Sequence, residues 1–139
     1  MSSENVALVR RYIEDFNRRD FESLIADTDP AVELSEWPEA PGAQTYHGPD
    51  GLRQAFEKWF ESWEWMHLDI AELIDAGDHV LVGLNQRARG SGSGIEVEIT
   101  SHNVYTFRDG KVTRLQLFID REPALAAAGL TPDYQEEKP

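Results

Sequence analysis

The first forty residues carry the pattern that most constrains the fold of this chain. Apolar residues recur there at spacings of three and four, which predicts a helix from about Glu4 to Arg18 with one apolar face. The members of that face are Val6, Val9, Ile13 and Phe16. Asp20 suits the N-cap of a short second helix, and Asp29-Pro30 forms a turn that leads into a short strand at Val32–Leu34.

A third helix is predicted after a long loop over residues 35–48. Pro49 suits the first helical position, and Asp50 in the first turn interacts favourably with the helix dipole. The apolar residues that follow keep the spacing of three and four: Leu52, Ala55, Phe56, Trp59, Phe60 and Trp63. We expect the aromatic members of this helix, including Phe60 and Trp63, to face the sheet.

Beyond this helix the apolar period changes to two, which is typical of strands. Strands are predicted at about 68–73, 80–89, 95–107 and 112–119, joined by turns at 75–78, 90–94 and Asp109-Gly110. Asp120 suits the N-cap of a final helix through Ala128, which Gly129 ends. Because helices and strands are segregated, the pattern indicates a single α+β domain over residues 1–130, followed by a mobile polar tail at 131–139.

The composition narrows the classes of function. The chain has 139 residues, enough for one domain, and no cysteine, which excludes disulfides, thiolate metal sites and cysteine nucleophiles. Its formal net charge of −13 disfavours nucleic acid and anionic membranes as partners. No apolar run approaches the roughly 20 residues of a membrane span, and the first residues lack the parts of a signal peptide, so we expect a cytoplasmic protein. We predict no cofactor and no metal site, because the four histidines follow no ligand spacing: His47, His67, His79 and His102.

Several sequence marks occur in a fixed order along nearly the whole chain. They are Arg11-Tyr12, Phe16-Asn17, Asp20, Tyr46-His47-Gly48, Asp75-Ala76-Gly77-Asp78, Arg108-Asp109-Gly110-Lys111-Val112 and Ile119-Asp120. Together they make the chain resemble the SnoaL-like branch of the cone-shaped family that includes nuclear transport factor 2 and ketosteroid isomerase. The resemblance implies three N-terminal helices packed on a curved, mostly antiparallel sheet that encloses a pocket. It also implies a homodimer that pairs through the outer face of the sheet.

The resemblance assigns the two faces of the sheet, because alternate residues of a strand point to opposite sides. The pocket side would hold Val80, Val82, Leu84, Gln86, Ala88, Ile95, Val97, Ile99, Ser101, Asn103, Tyr105, Phe107, Leu115, Leu117 and Ile119. The outer side would hold Asn85, Arg87, His102, Val104, Thr106, Arg114, Gln116 and Phe118. A mostly apolar inner face suits an organic molecule better than a phosphate or a sugar.

Three types of enzyme that use this fold can be compared with the chain position by position. Ketosteroid isomerases hold an enolate oxygen with a tyrosine of the first helix and a second acid, and these positions hold Tyr12 and Asn103. Their proton-transferring aspartate falls on Leu34, and the general acid/base of SnoaL-like polyketide cyclases falls on Leu117. The Asp–Arg–Asp network of epoxide hydrolases falls on Leu84, Gln86 and Leu117. The proton-transferring groups of all three types are therefore replaced.

The catalytic candidates that are left are Tyr12, Asn103 and Glu36, a loop carboxylate near the position of the missing base. Tyr12 could instead be a core tyrosine with a purely structural role, and Glu36 could be a solvated loop acid without a catalytic role. We interpret Asp120 as a helix cap, because its parity directs it away from the pocket. Ligand contacts are predicted for Tyr12, Phe16, Leu34, Trp37, Phe56, Trp59, Leu84, Gln86, Asn103, Tyr105 and Leu117.

Three functions stay open at the level of the sequence. The first is an apolar pocket for a small organic molecule, with no reaction assigned. The second is an isomerase, cyclase or hydratase that acts on a polyketide- or steroid-like ketone. The third is a non-catalytic dimeric interaction module. A pocket occupied by a flat organic ligand would favour the first two, whereas a pocket filled by its own side chains would favour the third.

Overall fold

Four helices and six strands make up residues 2–134, the part of the chain that the computed structural model describes, with side chains from Glu4 onward. The helices are α1 (Ser2–Asn17), α2 (Phe21–Ala26), α3 (Gly48–Ser62) and α4 (Arg121–Ala127). The strands are β1 (Thr28–Ser35), β2 (Thr45–His47), β3 (Trp63–Ala76), β4 (His79–Gly90), β5 (Glu96–Arg108) and β6 (Lys111–Phe118). The predicted α+β fold is confirmed, although β1 and β2 separate α3 from the first two helices.

One sheet holds the six strands in the order β2-β1-β6-β5-β4-β3. β1 and β6 run parallel, and the other neighbouring pairs are antiparallel, so β3 to β6 form the predicted meander. The register shifts between Ile70 and Glu72 and between Thr106 and Phe107. Such bulges bend a strand and increase its twist, so they help to curve the sheet around α1 and α3.

Local chemistry accounts for how the outer elements turn and end. Asp109 and Gly110 both have positive φ, 53° and 75°, as a two-residue hairpin of type I′ requires. α4 ends at Gly129 in the Schellman pattern, because Leu130 N donates to Leu125 O and Gly129 N donates to Ala126 O. Asp120 occupies the N-cap position of α4, but its side chain makes no capping hydrogen bond.

The sheet separates two apolar cores. On the inner side, α1, α2 and α3 pack against strand residues such as Val80, Val82 and Leu84. On the outer side, α4 packs Leu125 against a second set that includes Leu81. The alternation along β4 is therefore as predicted.

The side chain of Asn17 joins the end of α1 to β3, the edge strand of the sheet. Its Nδ2 donates to the backbone oxygen of Leu68 at 2.9 Å, and the backbone nitrogen of Leu68 donates to its Oδ1 at 2.8 Å. The nitrogen and the oxygen of the Asn17 side-chain amide therefore both bind the backbone of Leu68. The contact fixes α1 across the end of the curved sheet, beside the residues that face inward from β3 and β4.

Several expectations about single elements are wrong. Trp63 does not lie on α3 but begins β3. Phe60 does lie on α3 and packs, half-buried, against the inner core, with the Arg19 guanidinium 4.1 Å from the centre of its ring. Part of the predicted loop over residues 35–48 forms β2, which pairs with the end of β1. Ile95 lies before β5 and is 64% exposed, so it does not belong to the inner face.

The outer face is less available to a second copy than the sequence suggests. Val104 and Phe118, which the resemblance placed on the dimer face, pack with α4 in the outer core. Tyr134 joins the same core, and its backbone oxygen accepts a hydrogen bond from Arg121 Nη1 at 3.0 Å. The predicted tail at 131–139 lies outside the described residues from 135 onward. The homodimer stays a prediction.

No helix among residues 2–134 is both long enough and apolar enough to cross a membrane.

Candidate ligand-binding cavity

A cavity of about 510 Å³ lies between the inner face of the sheet, α1, α3 and the loop that follows β1. It is open rather than filled by the side chains around it. Each of the surrounding elements contributes at least one aromatic ring, and the rings come from distant parts of the sequence. The cavity is therefore a product of the tertiary fold.

Aromatic rings from two helices form one wall of the cavity. Phe16 of α1 and Phe56 of α3 meet with ring centroids 6.0 Å apart, and Phe56 meets Trp59 at 5.6 Å. Phe21 of α2, which does not line the cavity, stacks on Phe56 at 4.7 Å. Because these rings support one another, the wall is a packed surface rather than a set of free side chains.

Two tyrosines of the cavity lining contact each other. Tyr12 of α1 and Tyr105 of β5 are almost fully buried, and their rings meet edge to face with centroids 5.0 Å apart. Burial raises the pKa of Tyr12, and burial together with the neighbouring Tyr12 raises the pKa of Tyr105. Both hydroxyls therefore stay protonated at neutral pH and can donate hydrogen bonds.

Two amides face the cavity from the sheet, and their bonding differs. Gln86 of β4 donates from Nε2 to Ser101 Oγ at 2.7 Å, so part of its hydrogen-bonding capacity is used within the sheet. Asn103 of β5 is only 5% exposed, and its Oδ1 is buried without a hydrogen-bond partner. A buried amide oxygen in that state is uncommon, because such groups are nearly always paired.

Glu36 and Trp37 close the side of the cavity next to α3. Oε1 of Glu36 accepts from Gln44 N at 3.1 Å and from Lys58 Nζ at 3.2 Å, and Oε2 accepts from Trp59 Nε1 at 2.8 Å. The Glu36 side chain is 11% exposed, and its carboxylate links the loop to α3 by hydrogen bonds rather than being solvated. The indole nitrogen of Trp37 is buried in the lining without a hydrogen-bond partner.

The fold agrees with comparisons to known proteins. The family model of the SnoaL-like domain matches residues 9–115. The chain belongs to the SnoaL-like domain family. The resemblance inferred from the sequence marks is thereby confirmed. No curated protein matches the chain.

Solved structures similar to this SnoaL-like chain cover almost its whole length. TerC, co-crystallized with polyporic acid, is 26% identical with a TM-score of 0.77, over 91% of this chain and 97% of TerC. An NTF2-like protein from Burkholderia thailandensis is 26% identical with a TM-score of 0.75, over 89% of this chain and 95% of that chain. A protein with a ketosteroid isomerase-like fold from Catenulispora acidiphila, in complex with trimethylamine, is 16% identical with a TM-score of 0.72, over 93% and 97% of the two chains. The last likeness shows the fold alone.

Most of the residues proposed as ligand contacts from the sequence lie in the lining of the SnoaL-like cavity. They are Tyr12, Phe16, Trp37, Phe56, Trp59, Gln86, Asn103, Tyr105 and Leu117, and Glu36 joins them. Leu34 and Leu84 do not line the cavity, because both are fully buried in the inner core. Neither Asn85 nor Gln116 lines it, which agrees with the predicted strand parity. The ligand-binding role of these side chains stays a prediction.

The sequence interpretation missed part of the lining at the start of β3. Trp63, Met66 and Leu68 face the cavity, although Trp63 was assigned to α3 as a core residue and Met66 was not considered. The period of two in the strand predicted at 68–73, extended back by two residues from Leu68, places Met66 on the same face. Ala40 and Glu98 were missed as well, because one lies in an irregular loop and the other at an exposed end of β5.

The chemistry of the lining is limited by its charges. Within the described part of the chain the charged residues that line the cavity are Glu36 and Glu98, and no lysine, arginine or histidine does so. The described residues also hold no group of three or more side chains arranged for a metal ion. The floor of the cavity, which we define as Tyr12, Gln86, Asn103 and Tyr105, can donate and accept hydrogen bonds, and its polar groups are neutral.

Proposed function

We propose that this SnoaL-like protein binds an uncharged, planar organic molecule in the cavity. The observation that carries the proposal is the combination of aromatic walls with a neutral, hydrogen-bonding floor. Phe16, Phe56 and Trp59 offer ring surfaces, and Tyr12 and Tyr105 offer protonated hydroxyls. Small-molecule sites are usually apolar concave spaces with a few oriented polar groups.

The size of the cavity supports a ligand of a few rings. Its volume of about 510 Å³ lies within the roughly 300–1,000 Å³ of small-molecule sites. TerC, a similar protein, was co-crystallized with polyporic acid. That likeness supports an organic ligand here, and the charge preference of this chain is a separate question.

The charges around the cavity argue against an anionic ligand. An anion that leaves water needs a paired cation or several strong donors, and the described lining contains no cationic side chain. Two carboxylates at the lining and a net charge of −13 add repulsion. A neutral ligand meets neither obstacle.

A second candidate is an enzyme that acts on a polyketide- or steroid-like ketone. Tyr12 and Asn103, the positions that resemble the enolate-holding pair of ketosteroid isomerases, both line the cavity, which favours it. The positions for a proton-transferring acid hold Leu34 and Leu117. Such an enzyme would stabilise an enolate oxygen, and its base would have to come from elsewhere. We therefore place binding first.

Isothermal titration calorimetry with three compounds on one two-ring skeleton tests the proposal. They are 2-naphthol, which is neutral, 2-naphthoate, which is anionic, and 2-(aminomethyl)naphthalene, which is cationic at neutral pH. We expect 2-naphthol to bind about tenfold tighter than the anion, which corresponds to a difference of about 1.4 kcal/mol in binding free energy. Tighter binding of either ion, or no binding of any ring compound, would contradict the proposal.

A further inference from the structure

Two buried polar atoms in the cavity lining have no hydrogen-bond partner in the described chain. They are Oδ1 of Asn103, an acceptor, and Nε1 of Trp37, a donor. The first lies on the sheet and the second on the loop after β1. Native structures pair almost all such atoms, so two exceptions on residues that line one cavity point to a partner that binds there.

Two other polar side chains of the lining, Gln86 and Glu36, are hydrogen-bonded within the protein. Gln86 donates to Ser101 Oγ at 2.7 Å, and Glu36 accepts from Gln44, Lys58 and Trp59. Among the described residues, Asn103 Oδ1 and Trp37 Nε1 are the buried side-chain nitrogen and oxygen atoms that have no hydrogen-bond partner.

The position of Asn103 restricts how its amide can act. Its backbone is held between Val82 of β4 and Leu117 of β6, and only 5% of the residue is exposed. The side chain therefore presents an amide edge to the cavity, with an acceptor at Oδ1 and a donor at Nδ2 on neighbouring positions. An asparagine edge of this kind pairs with a flat partner that carries a donor and an acceptor side by side.

We propose that the ligand of this cavity carries a hydrogen-bond donor and a carbonyl acceptor on neighbouring positions of a planar, uncharged ring system. The donor of the ligand binds Oδ1 of Asn103. The carbonyl oxygen of the ligand accepts hydrogen bonds from Nδ2 of Asn103 and from Nε1 of Trp37. Cyclic amides and hydroxyketones both present this edge. The inference rests on the proposed binding function and adds the hydrogen-bonding pattern that the ligand must have.

Matched ligand pairs test the pattern in the wild-type protein, without any variant. 2-Quinolone and 1-methyl-2-quinolone differ only in the cyclic-amide donor, and 3-hydroxychromone and 3-methoxychromone differ only in the hydroxyl donor. We expect calorimetry to show about tenfold tighter binding of the member with the donor in at least one pair, since sites built around a hydrogen bond reject analogues that lack it. The pair that shows the preference identifies the ligand as a cyclic amide or a hydroxyketone.

Variants separate the hydrogen bond from a steric effect of the added methyl group. Asn103→Leu removes the amide at similar volume and should abolish the preference, whereas Asn85→Leu on the outer side of the sheet should keep it. Trp37→Phe should weaken both members of a pair by a similar factor, because both keep the carbonyl. A preference that persists in Asn103→Leu is steric and would overturn the inference.

The outcomes also separate this inference from the function on which it rests. If both members of each pair bind equally well, the cavity binds planar rings but the proposed hydrogen-bonding pattern is wrong. If none of these compounds binds and 2-naphthol does not bind either, the proposed binding function fails together with the inference.

Discussion

Nε1 of Trp59 donates a hydrogen bond of 2.8 Å to Oε2 of Glu36 at the edge of the cavity. The same carboxylate accepts from Lys58 and from the backbone of Gln44. Glu36 thereby fixes an aromatic wall on α3 and the loop that carries Trp37. Its place in the lining therefore has a structural reason, and the base role considered from the sequence is not needed to explain it.

Replacing Glu36 should weaken ligand binding through Trp59. We expect Glu36→Ala to reduce the affinity for 2-naphthol about five- to tenfold, which corresponds to a net hydrogen bond of about 1 kcal/mol. Glu98→Ala, which removes the other carboxylate of the lining, is the matched control and should change the affinity less than about twofold. Calorimetric titrations of both variants measure the difference. Equal effects of the two substitutions would show that Glu36 acts by charge alone.

Phe56 should be a main support of the aromatic wall. Its ring is 2% exposed and packs against Phe16, Phe21 and Trp59. We expect Phe56→Ala to lower the free energy of unfolding by about 3–5 kcal/mol, the usual cost of removing a buried aromatic ring. Chemical denaturation measures it, with Gln54→Ala on the exposed side of α3 as the control. A loss below about 1 kcal/mol would mean that α3 does not pack as described.

The ion pair between Glu72 and Arg121 should make stability depend on pH. Arg121 donates to both carboxylate oxygens at 3.0 and 2.8 Å, and these hydrogen bonds hold the pKa of Glu72 below its ordinary value. A lowered folded-state pKa stabilises the protein at pH values above the ordinary one, 4.5, and that stabilisation is lost as the pH falls through the lowered pKa. Glu72→Gln should therefore cost about 1 kcal/mol at neutral pH and much less in acid.

Denaturation of Glu72→Gln and of the exposed control Glu61→Gln across this pH range tests the ion pair. The difference between Glu72→Gln and wild type should shrink as the pH decreases, whereas Glu61→Gln should follow the wild-type curve. A cost that is independent of pH would show that the pair does not act through the charge of Glu72.

The protein should have negligible Δ5-3-ketosteroid isomerase activity and no epoxide hydrolase activity. Leu34 and Leu117 cannot transfer a proton, and general acid–base catalysis is worth a factor of about 10² to 10⁴. If weak isomerase activity is measured, Glu36→Gln should abolish it and Asp120→Asn should leave it nearly unchanged. Turnover that survives Glu36→Gln but is lost in Asp120→Asn would show that Asp120 is a catalytic acid.

The sequence predicted the elements whose signals are local. Asp109-Gly110 has the turn chemistry of a two-residue hairpin, and the apolar period of α3 and the alternation along β4 fix which sides are buried. The family resemblance indicated which side of β5 faces the pocket, and strand alternation then placed Asn103 and Tyr105 on that same side.

Features that depend on tertiary contacts could not be predicted in this way. Trp63 continues the helical spacing of α3, yet it pairs with Gly90 at the start of β3. β2 has three residues and exists because it pairs with β1. The bonds of Glu36 join residues 8 to 23 positions apart, so no local pattern distinguishes this carboxylate from a solvated one.

Filling the cavity is the most direct test of the account. Ala88 lines the cavity on β4, so Ala88→Phe places a ring where the ligand is proposed to bind, whereas Ala71→Phe adds the same ring at an exposed position of β3. Calorimetric titration of the two variants with 2-naphthol, after circular dichroism has shown that both are folded, compares them. We predict that binding is lost in Ala88→Phe and unchanged in Ala71→Phe. Binding of wild-type strength by folded Ala88→Phe would contradict the claim that this cavity is the ligand site.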